Sequence, residues 1–326
     1  MKNYKYFLFE SKDKNDKITW IKVGPVNSTV ESKKLKELIE TALENFYTLI
    51  HVSDKTIPTI NKDAPILIYF GTNEDGIQLL KDQNIKQSDV YNKTVEARKA
   101  LKKADWHKLL GDKDWLPKTV LDKKDINKLE FPIIAKPSEG HSGVGIMKFD
   151  NMEDCQKEID KKDCNLDTFS EMIKDIDTEY RFIFVKDELF LVLERIGIIK
   201  DNKTITTKDP KESLSFLYVE QDLEKGDYDV KDIVKEFRKD FKQDFYALDI
   251  ILDTHGKYWV IESNGGIGMG GNTMSRTYEA IYKDFYNKDI PADKKKLVEK
   301  ICKEYHDEIK KDYPKEFKQS KNPKTY

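Results

Sequence analysis

The sequence predicts a protein of mixed α/β and α+β class, with a small N-terminal α/β layer, a larger two-lobed body and a helical C-terminal tail. Three observations predict it. The first ninety residues alternate strand and helix signals, short strand-like runs dominate from Phe131 onward, and an apolar stripe at helical spacing closes the chain. A length of 326 residues allows two or three domains and a sizeable core.

In chain order, Tyr6 to Glu10, Trp20 to Val23 and Ala64 to Phe70 are short apolar, β-branched or aromatic runs, and each predicts a strand. Between them Leu35, Leu38, Ile39, Ala42, Leu43 and Phe46 recur at helical spacing, behind Ser28-Thr29-Val30-Glu31, which has the form of a capping box. A second helix is predicted from about Thr94 to Leu110, closed by Gly111 and then by Pro117. Strands follow at Phe131 to Lys136, Val144 to Phe149, Arg181 to Val185, Leu189 to Val192, Tyr246 to Leu252 and Tyr258 to Ile261. Leu297, Val298, Ile301, Cys302, Tyr305 and Ile309 then form one stripe of a helix capped by Asp293, and beyond Pro314 a frayed Lys-rich tail is expected. That stripe can pack on the body or on a second subunit of a homo-oligomer, and the sequence leaves both open.

Composition excludes some functions. Against 60 Asp plus Glu stand 58 Lys plus Arg, a net charge of −2 with the two signs interspersed. No basic excess is present to attract nucleic acid or an anionic membrane surface. Nothing approaches 18 consecutive apolar residues, and Met1 to Lys12 lack the apolar run of a signal peptide. Cys155, Cys164 and Cys302 form no Cys-x-x-Cys pair and suit a reducing compartment, so a soluble cytoplasmic protein is expected. Cations are overwhelmingly Lys. The five arginines, Arg98, Arg181, Arg195, Arg238 and Arg276, mark places where a planar five-donor fork suits carboxylate or phosphate; the bland alternative is chance, and Arg238, inside a charged run, reads as that.

The strand ending at Lys136 runs directly into Pro137-Ser-Glu-Gly140-His-Ser-Gly143-Val-Gly145. Three glycines in six positions, flanked by Ser138 and Ser142, can turn several backbone N–H groups toward one point and cradle phosphate oxygens; tight turns use the same residues. Ile146 and Met147 stand where a P-loop needs Lys and Ser or Thr. The order Gly-x-x-Gly-x-Gly between two strands is not the dinucleotide-binding order between strand and helix, and no His-Arg-Asp or Asp-Phe-Gly of a protein kinase is present.

Farther on, a two-residue turn at His255-Gly256 would set Thr254 opposite Lys257 and Asp249 opposite Glu262, with Asn264 returning to the same face. Carboxylates directly opposed across strands need a cation between them, a shared proton or solvent. Two carboxylates and an amide oxygen suit magnesium, and no His lies at zinc-ligand spacing; the bland alternative is an exposed acidic hairpin. Five of the chain's fifteen glycines follow between Gly265 and Gly271, as where backbone passes close to a ligand or in a surface loop.

Three segments in order, FPIIAKPSEGHSGVGI, SEMIKDIDTEYRFIFV and ALDIILDTHGKYWVIESN, resemble the ATP-grasp superfamily of the carboxylate–amine ligase type, similar to the ATP-binding domain of glutathione synthetase, over roughly Tyr91 to Asn272. The resemblance implies a pre-ATP-grasp-like layer over 1–90, an ATP-grasp domain over 91–290 with lobes at about 91–170 and 171–290, and a C-terminal helix and tail over 291–326. It implies ATP and magnesium as cofactors, two ions with manganese as a substitute, and a ligase that joins a carboxylate to an amine through an acyl phosphate. The substrates would be small molecules, peptides or protein side chains.

Carried over by position, Lys136 would contact the α-phosphate and adenine side. The loop containing Ser138, Gly140, His141, Ser142, Gly143 and Val144 would cover the β- and γ-phosphates, with His141 at its tip. Glu171, Met172 and Ile173 resemble the adenine-reading hinge, Glu179 the ribose-holding acid, and Asp249, Glu262 and Asn264 the magnesium ligands. Lys103 lies at the family's distance before Pro117 for an earlier phosphate lysine, with Lys93, Lys102 and Lys108 competing. Ala247 departs from the pattern, since many relatives carry a catalytic Arg there. Physical reasoning offers Arg181 and Arg195 as oxyanion donors in its place and Arg276 as a clamp for a substrate carboxylate; each also fits a surface ion pair. Neither a nucleophile–base constellation nor a catalytic Ser, Cys or His is required. An ATP-grasp phosphotransferase and a non-catalytic Mg-ATP-binding regulator are the rival functions.

Overall fold

The computed structural model describes residues 17–22, 33–51, 59–69, 73–86, 90–92, 103–137, 145–200, 203–205, 216–265, 267 and 271–326. The expected strand Tyr6 to Glu10 and the capping box at Ser28 to Glu31 lie outside the described residues.

The N-terminal layer is a parallel sheet. Strands β1 (Ile18–Lys22), β2 (Tyr47–His51), β3 (Ile66–Tyr69) and β4 (Val90–Tyr91) pair in the order β2-β1-β3-β4, with helices α1 (Lys33–Phe46) and α2 (Asn73–Asp82) in the connections. A parallel sheet needs cover on both faces, and the alternation in β1 supplies it. Ile18 and Trp20 pack with Ala42 and Phe46 of α1, whereas Ile21 packs with Leu79 and Leu80 of α2.

The next lobe holds α3 (Lys103–Leu110), a 3-10 helix (Lys123–Lys128) and α4 (Met152–Ile159), with a four-stranded antiparallel sheet. Its strands β5 (Thr119–Val120), β6 (Ile133–Lys136), β7 (Met147–Phe149) and β8 (Thr168–Glu171) run in the order β5-β8-β6-β7. Asn151 caps α4 by accepting from the Asp154 N–H, and Cys155 on its inner face joins Ile133, Phe149 and Phe169 in the lobe's core.

The largest sheet combines β9 (Ile176–Val185), β10 (Glu188–Lys200), β11 (Lys203–Ile205), β12 (Phe216–Glu220), β13 (Phe245–Asp253) and β14 (Tyr258–Asn264). Its order is β11-β10-β9-β13-β14, with β12 also on β10. Alternation gives it two faces. Phe182, Phe184, Val192, Tyr246, Leu248 and Val260 point one way, under Val234 and Phe237 of α5 (Lys231–Asp240) and Trp106 of α3. Ile183, Leu191, Phe245 and Ala247 point the other way, under Met274, Tyr278 and Ile281 of α6 (Gly271–Tyr286). This second cluster also takes in α1 and Val298 and Ile301 of α7 (Ala292–Asp312), so the expected C-terminal stripe packs on the body. Asn92 fastens the N-terminal layer to β13, donating to the Phe245 carbonyl at 2.8 Å and accepting from the Phe245 N–H at 2.9 Å.

Four local expectations are corrected. Pro291, not Asp293, precedes the first residue of α7, with no side-chain cap; Asp293 lies in the first turn. The tail is not frayed. After α8 (Pro314–Phe317), Ser320 Oγ and the Lys321 N–H both donate to the buried Glu194 carboxylate, at 2.7 and 2.9 Å, and the Lys324 N–H reaches the Glu220 carbonyl. Arg238 is largely buried and ties α5 to the β9–β10 turn through Asp187, 3.0 Å away. The β13–β14 turn holds three residues, since the Asp253 N–H bonds the Lys257 carbonyl, with Gly256 at φ +82° where left-handed backbone favours glycine.

Candidate active site

The face of the large sheet under α6 is apolar at one end and charged at the other. Across the charged end, Glu220 of β12 pairs with Leu193 of β10, Leu193 with Arg181 of β9, Arg181 with Asp249 of β13, and Asp249 with Glu262 of β14. One row above, Tyr218 pairs with Arg195 and Arg195 with Glu179; one row below, Ala247 pairs with Asn264. Period-two alternation on four strands thus gathers Glu179, Arg181, Arg195, Asp249, Glu262 and Asn264 on one surface. The expected opposition of Asp249 and Glu262 is present.

A cation does stand beside these acids, and it is Arg181. Its Nε donates to Asp249 Oδ1 at 2.7 Å and its Nη2 to Oδ2 at 2.8 Å, a two-pronged pair. Asn264 Nδ2 donates to the same Oδ2 at 3.0 Å. Both partners are mostly buried, with side-chain exposures of 17% and 15%. Burial opposes the Arg181 charge, and the Asp249 carboxylate, with Glu262 adding to it, more than offsets this, so the guanidinium pKa is pushed up. The Tyr218 ring lies 5.0 Å from the guanidinium carbon, a cation–π contact, and burial pushes the Tyr218 hydroxyl up to about 12.

Arg195 donates to Glu179 Oε2 at 2.9 Å and lies 4.2 Å over the Phe216 ring. The expected ribose acid and the expected second donor are therefore partners of one another. Arg276, on α6, is paired with buried Glu220 at 3.2 Å and with Glu279 at 3.0 Å, apart from the Asp249 group. Its two carboxylates already supply what a substrate carboxylate would.

Lys136 ends β6 opposite Thr168. Its charge reaches His107 of α3, whose pKa falls to about 4, by burial first and by Lys136 second. Lys103 opens the same helix, and its rival Lys108 pairs with Asp105 at 3.9 Å; Lys93 and Lys102 lie outside the described residues. Glu171 ends β8, where its side chain accepts from the Glu130 N–H at 2.9 Å, and its neighbour Met172 bonds the Pro132 carbonyl through its N–H, leading into Ile173. Ser138, Gly140, His141, Ser142, Gly143 and Val144 lie outside the described residues. The ends of that loop come together, for a Cβ at Gly145 would stand 3.1 Å from Pro137 Cγ.

Among the described residues no group of three or more His, Cys, Asp or Glu side chains gathers as a metal site; Asp249, Glu262 and Asn264 form a smaller set whose carboxylate and amide oxygens are of the type a hard cation takes. Sequence reasoning missed the aromatic floor, Phe216 and Tyr218, and the acid Glu220; the alternation in Phe-Leu-Tyr-Val-Glu over β12 was the available signal.

No family model matches the sequence, and no curated protein matches it. Solved structures do. D-alanine–D-alanine ligase from Bacillus anthracis aligns with a TM-score of 0.54 at 14% identity, over 90% of this chain and 99% of that one. The ATP-grasp ligase PsnB, solved with a minimal precursor, magnesium and ADP, gives 0.52 at 14% identity over 88% and 96%. A RiPP-associated ATP-grasp ligase from Chryseobacterium gregarium, with ADP and a leader and core peptide, gives 0.50 at 14% identity over 84% and 98%.

Proposed function

This chain has the ATP-grasp fold, and from that premise we propose that it is an ATP-dependent ligase acting in the cytoplasm. It joins a carboxylate to an amine through an acyl phosphate and releases ADP and phosphate. The observation that carries this reading is the convergence of Arg181, Asp249, Glu262 and Asn264 at the charged end of one sheet face.

Asp249, Glu262 and Asn264 would hold magnesium, which when bound offsets phosphate charge and aligns the transferring group. Lys136 adds a fixed positive charge on the α-phosphate side, and the hinge at Glu171 to Ile173 presents backbone to the adenine edge. Glu179, held in place by Arg195, faces the ribose hydroxyls. Arg181 is the donor nearest the acids, and its fork suits the oxyanion that forms when the amine adds to the acyl carbon. It stands two strands from Glu220, roughly 10 Å at ordinary strand spacing, so the Glu220–Arg276 pair would border the acceptor rather than touch the reacting atoms. The neighbours include a D-alanine–D-alanine ligase and ATP-grasp ligases solved with a minimal precursor or with a leader and core peptide, which supports a small-molecule, peptide or protein side-chain carboxylate as the class to screen. Among the described residues, no helix is long and apolar enough to cross a membrane.

The test is ADP release with Mg-ATP and pooled amino acids, peptides and small carboxylates, run with hydroxylamine to trap acyl phosphate. Hydroxamate that depends on ATP and on one pool is expected. ADP release without hydroxamate would turn the assignment to a phosphotransferase, and tight nucleotide binding without turnover would turn it to a regulator.

A further inference from the structure

Arg181 and Asp249 carry two roles in the proposed reaction, and the observed geometry gives them to each other. Both carboxylate oxygens of Asp249 accept from the Arg181 fork, at 2.7 and 2.8 Å, and Asn264 adds a third donor to Oδ2 at 3.0 Å. A divalent cation on Asp249 would need the same oxygens that the fork now holds. The ion pair and the metal therefore compete for one carboxylate.

The surroundings allow the fork to leave Asp249 without leaving the site. Tyr218 lies against the guanidinium at 5.0 Å, and Leu193, the cross-strand neighbour on the other flank, offers no hydrogen-bond acceptor. In the same cross-strand row Glu262 adds its field on the far side of Asp249. A guanidinium released from Asp249 could keep this ring contact.

We propose that Arg181 is a latch on the metal site: it fills Asp249 while the site is empty, and a divalent cation taking Asp249 frees the fork to face the reacting carboxylate. The donor is then presented only once the metal is in place. The latch rests on the reading of Asp249 as a metal ligand, and two measurements separate the two ideas.

The first is Mn2+ titration of the whole protein without nucleotide, read by electron paramagnetic resonance, for wild type, Arg181→Gln and Asp249→Asn. The latch predicts that Arg181→Gln binds Mn2+ at least tenfold more tightly than wild type and that Asp249→Asn binds at least tenfold more weakly. Unchanged or weaker binding by Arg181→Gln overturns the latch even where Asp249→Asn confirms the metal site. No effect of Asp249→Asn removes the metal site, and the latch with it. The second needs no altered protein beyond assignment. The chain holds five arginines, so 15N-arginine labelling gives five Nε resonances, with that of Arg181 identified by Arg181→Lys. In wild type it should exchange slowly with water, then shift and exchange at least tenfold faster on adding Mg2+, while Arg238, paired with Asp187, stays unchanged. An Arg181 signal that keeps its protection at saturating Mg2+ overturns the proposal.

Discussion

Lowering the pH tests the placement of Lys136 through its neighbour. His107 lies on α3 within reach of the Lys136 charge, and burial followed by that charge takes its pKa from 6.5 to about 4. At pH 5 the folded protein holds a neutral imidazole there, whereas the unfolded chain holds a protonated one. Between pH 6.5 and about 4 the unfolded state therefore binds more protons, so stability rises with pH and is lost as pH falls through this window. The gap of roughly 2.5 pH units, at about 1.4 kcal/mol each, sets a ceiling of about 3 kcal/mol, of which about 2 kcal/mol is spent by pH 5. Urea denaturation of wild type and His107→Gln at pH 7.5 and 5.0 reads the difference, which cancels the other titrating groups. The variant should lose about 2 kcal/mol less than wild type between the two. A nuclear magnetic resonance titration of the five histidines gives the cause directly: the His107 midpoint should lie near 4 and rise in Lys136→Met. A midpoint near 6.5, or equal acid losses in the two proteins, would refute the burial of this ring beside Lys136.

Two further outcomes concern local structure. Ser320→Ala removes one of two donors to Glu194, a carboxylate 4% exposed, and should cost about 2 kcal/mol in urea denaturation, as a charge-assisted hydrogen bond does; a loss below about 0.5 kcal/mol would mean that the tail does not hold this acid. Gly256→Ala meets nothing within 4 Å but forces a side chain onto φ +82°, so the cost is backbone strain of about 1 to 2 kcal/mol, and an unchanged melting temperature would remove the left-handed turn.

The elements legible in the sequence were those whose pattern is decided locally. The stripe of α1 and that of α7 each repeat at helical spacing with one apolar face, and both helices are present. The runs Phe131 to Lys136 and Tyr246 to Leu252 are β-rich and bounded by turn residues, and strands lie there, at Ile133–Lys136 and Phe245–Asp253. What escaped was decided by tertiary contact. Strand β2 follows α1 with no turn between Phe46 and Tyr47, so no punctuation marked it. Helix α6 begins at Gly271, directly after the glycine-rich segment, and is held by Met274, Tyr278 and Ile281 against the sheet. The tail after Pro314 carries few apolar residues; hydrogen bonds to Glu194, Gln221 and Glu220 fix it instead, and no periodicity reports such bonds.

The acidic pair shows how a correct placement can rest on an incomplete reason. A two-residue turn with unbroken pairing sets Asp249 opposite Glu262, and they are opposite, but the loop holds Thr254, His255 and Gly256. That third residue shifts the register by one, so Ile250 pairs with Val260 and Leu252 with Tyr258. Between Val260 and Glu262 an extra residue, Ile261, shifts it back. The two irregularities have one physical cause. In a strand with strict alternation Val260, Glu262 and Asn264 share a face, since each is two residues from the next. Val260 belongs to the apolar cluster with Phe182 and Leu248, and a carboxylate carried to that face would be buried with no cation beside it. The bulge lets one strand serve both sides, sending Val260 into the core and Glu262 with Asn264 toward Asp249. Pairing Ile261 regularly, rather than bulging it, would turn both polar groups away from Asp249, whereas deleting Ile261 makes Val260 and Glu262 neighbours on opposite faces and should leave Glu262 opposite Asp249 in an unbroken ladder.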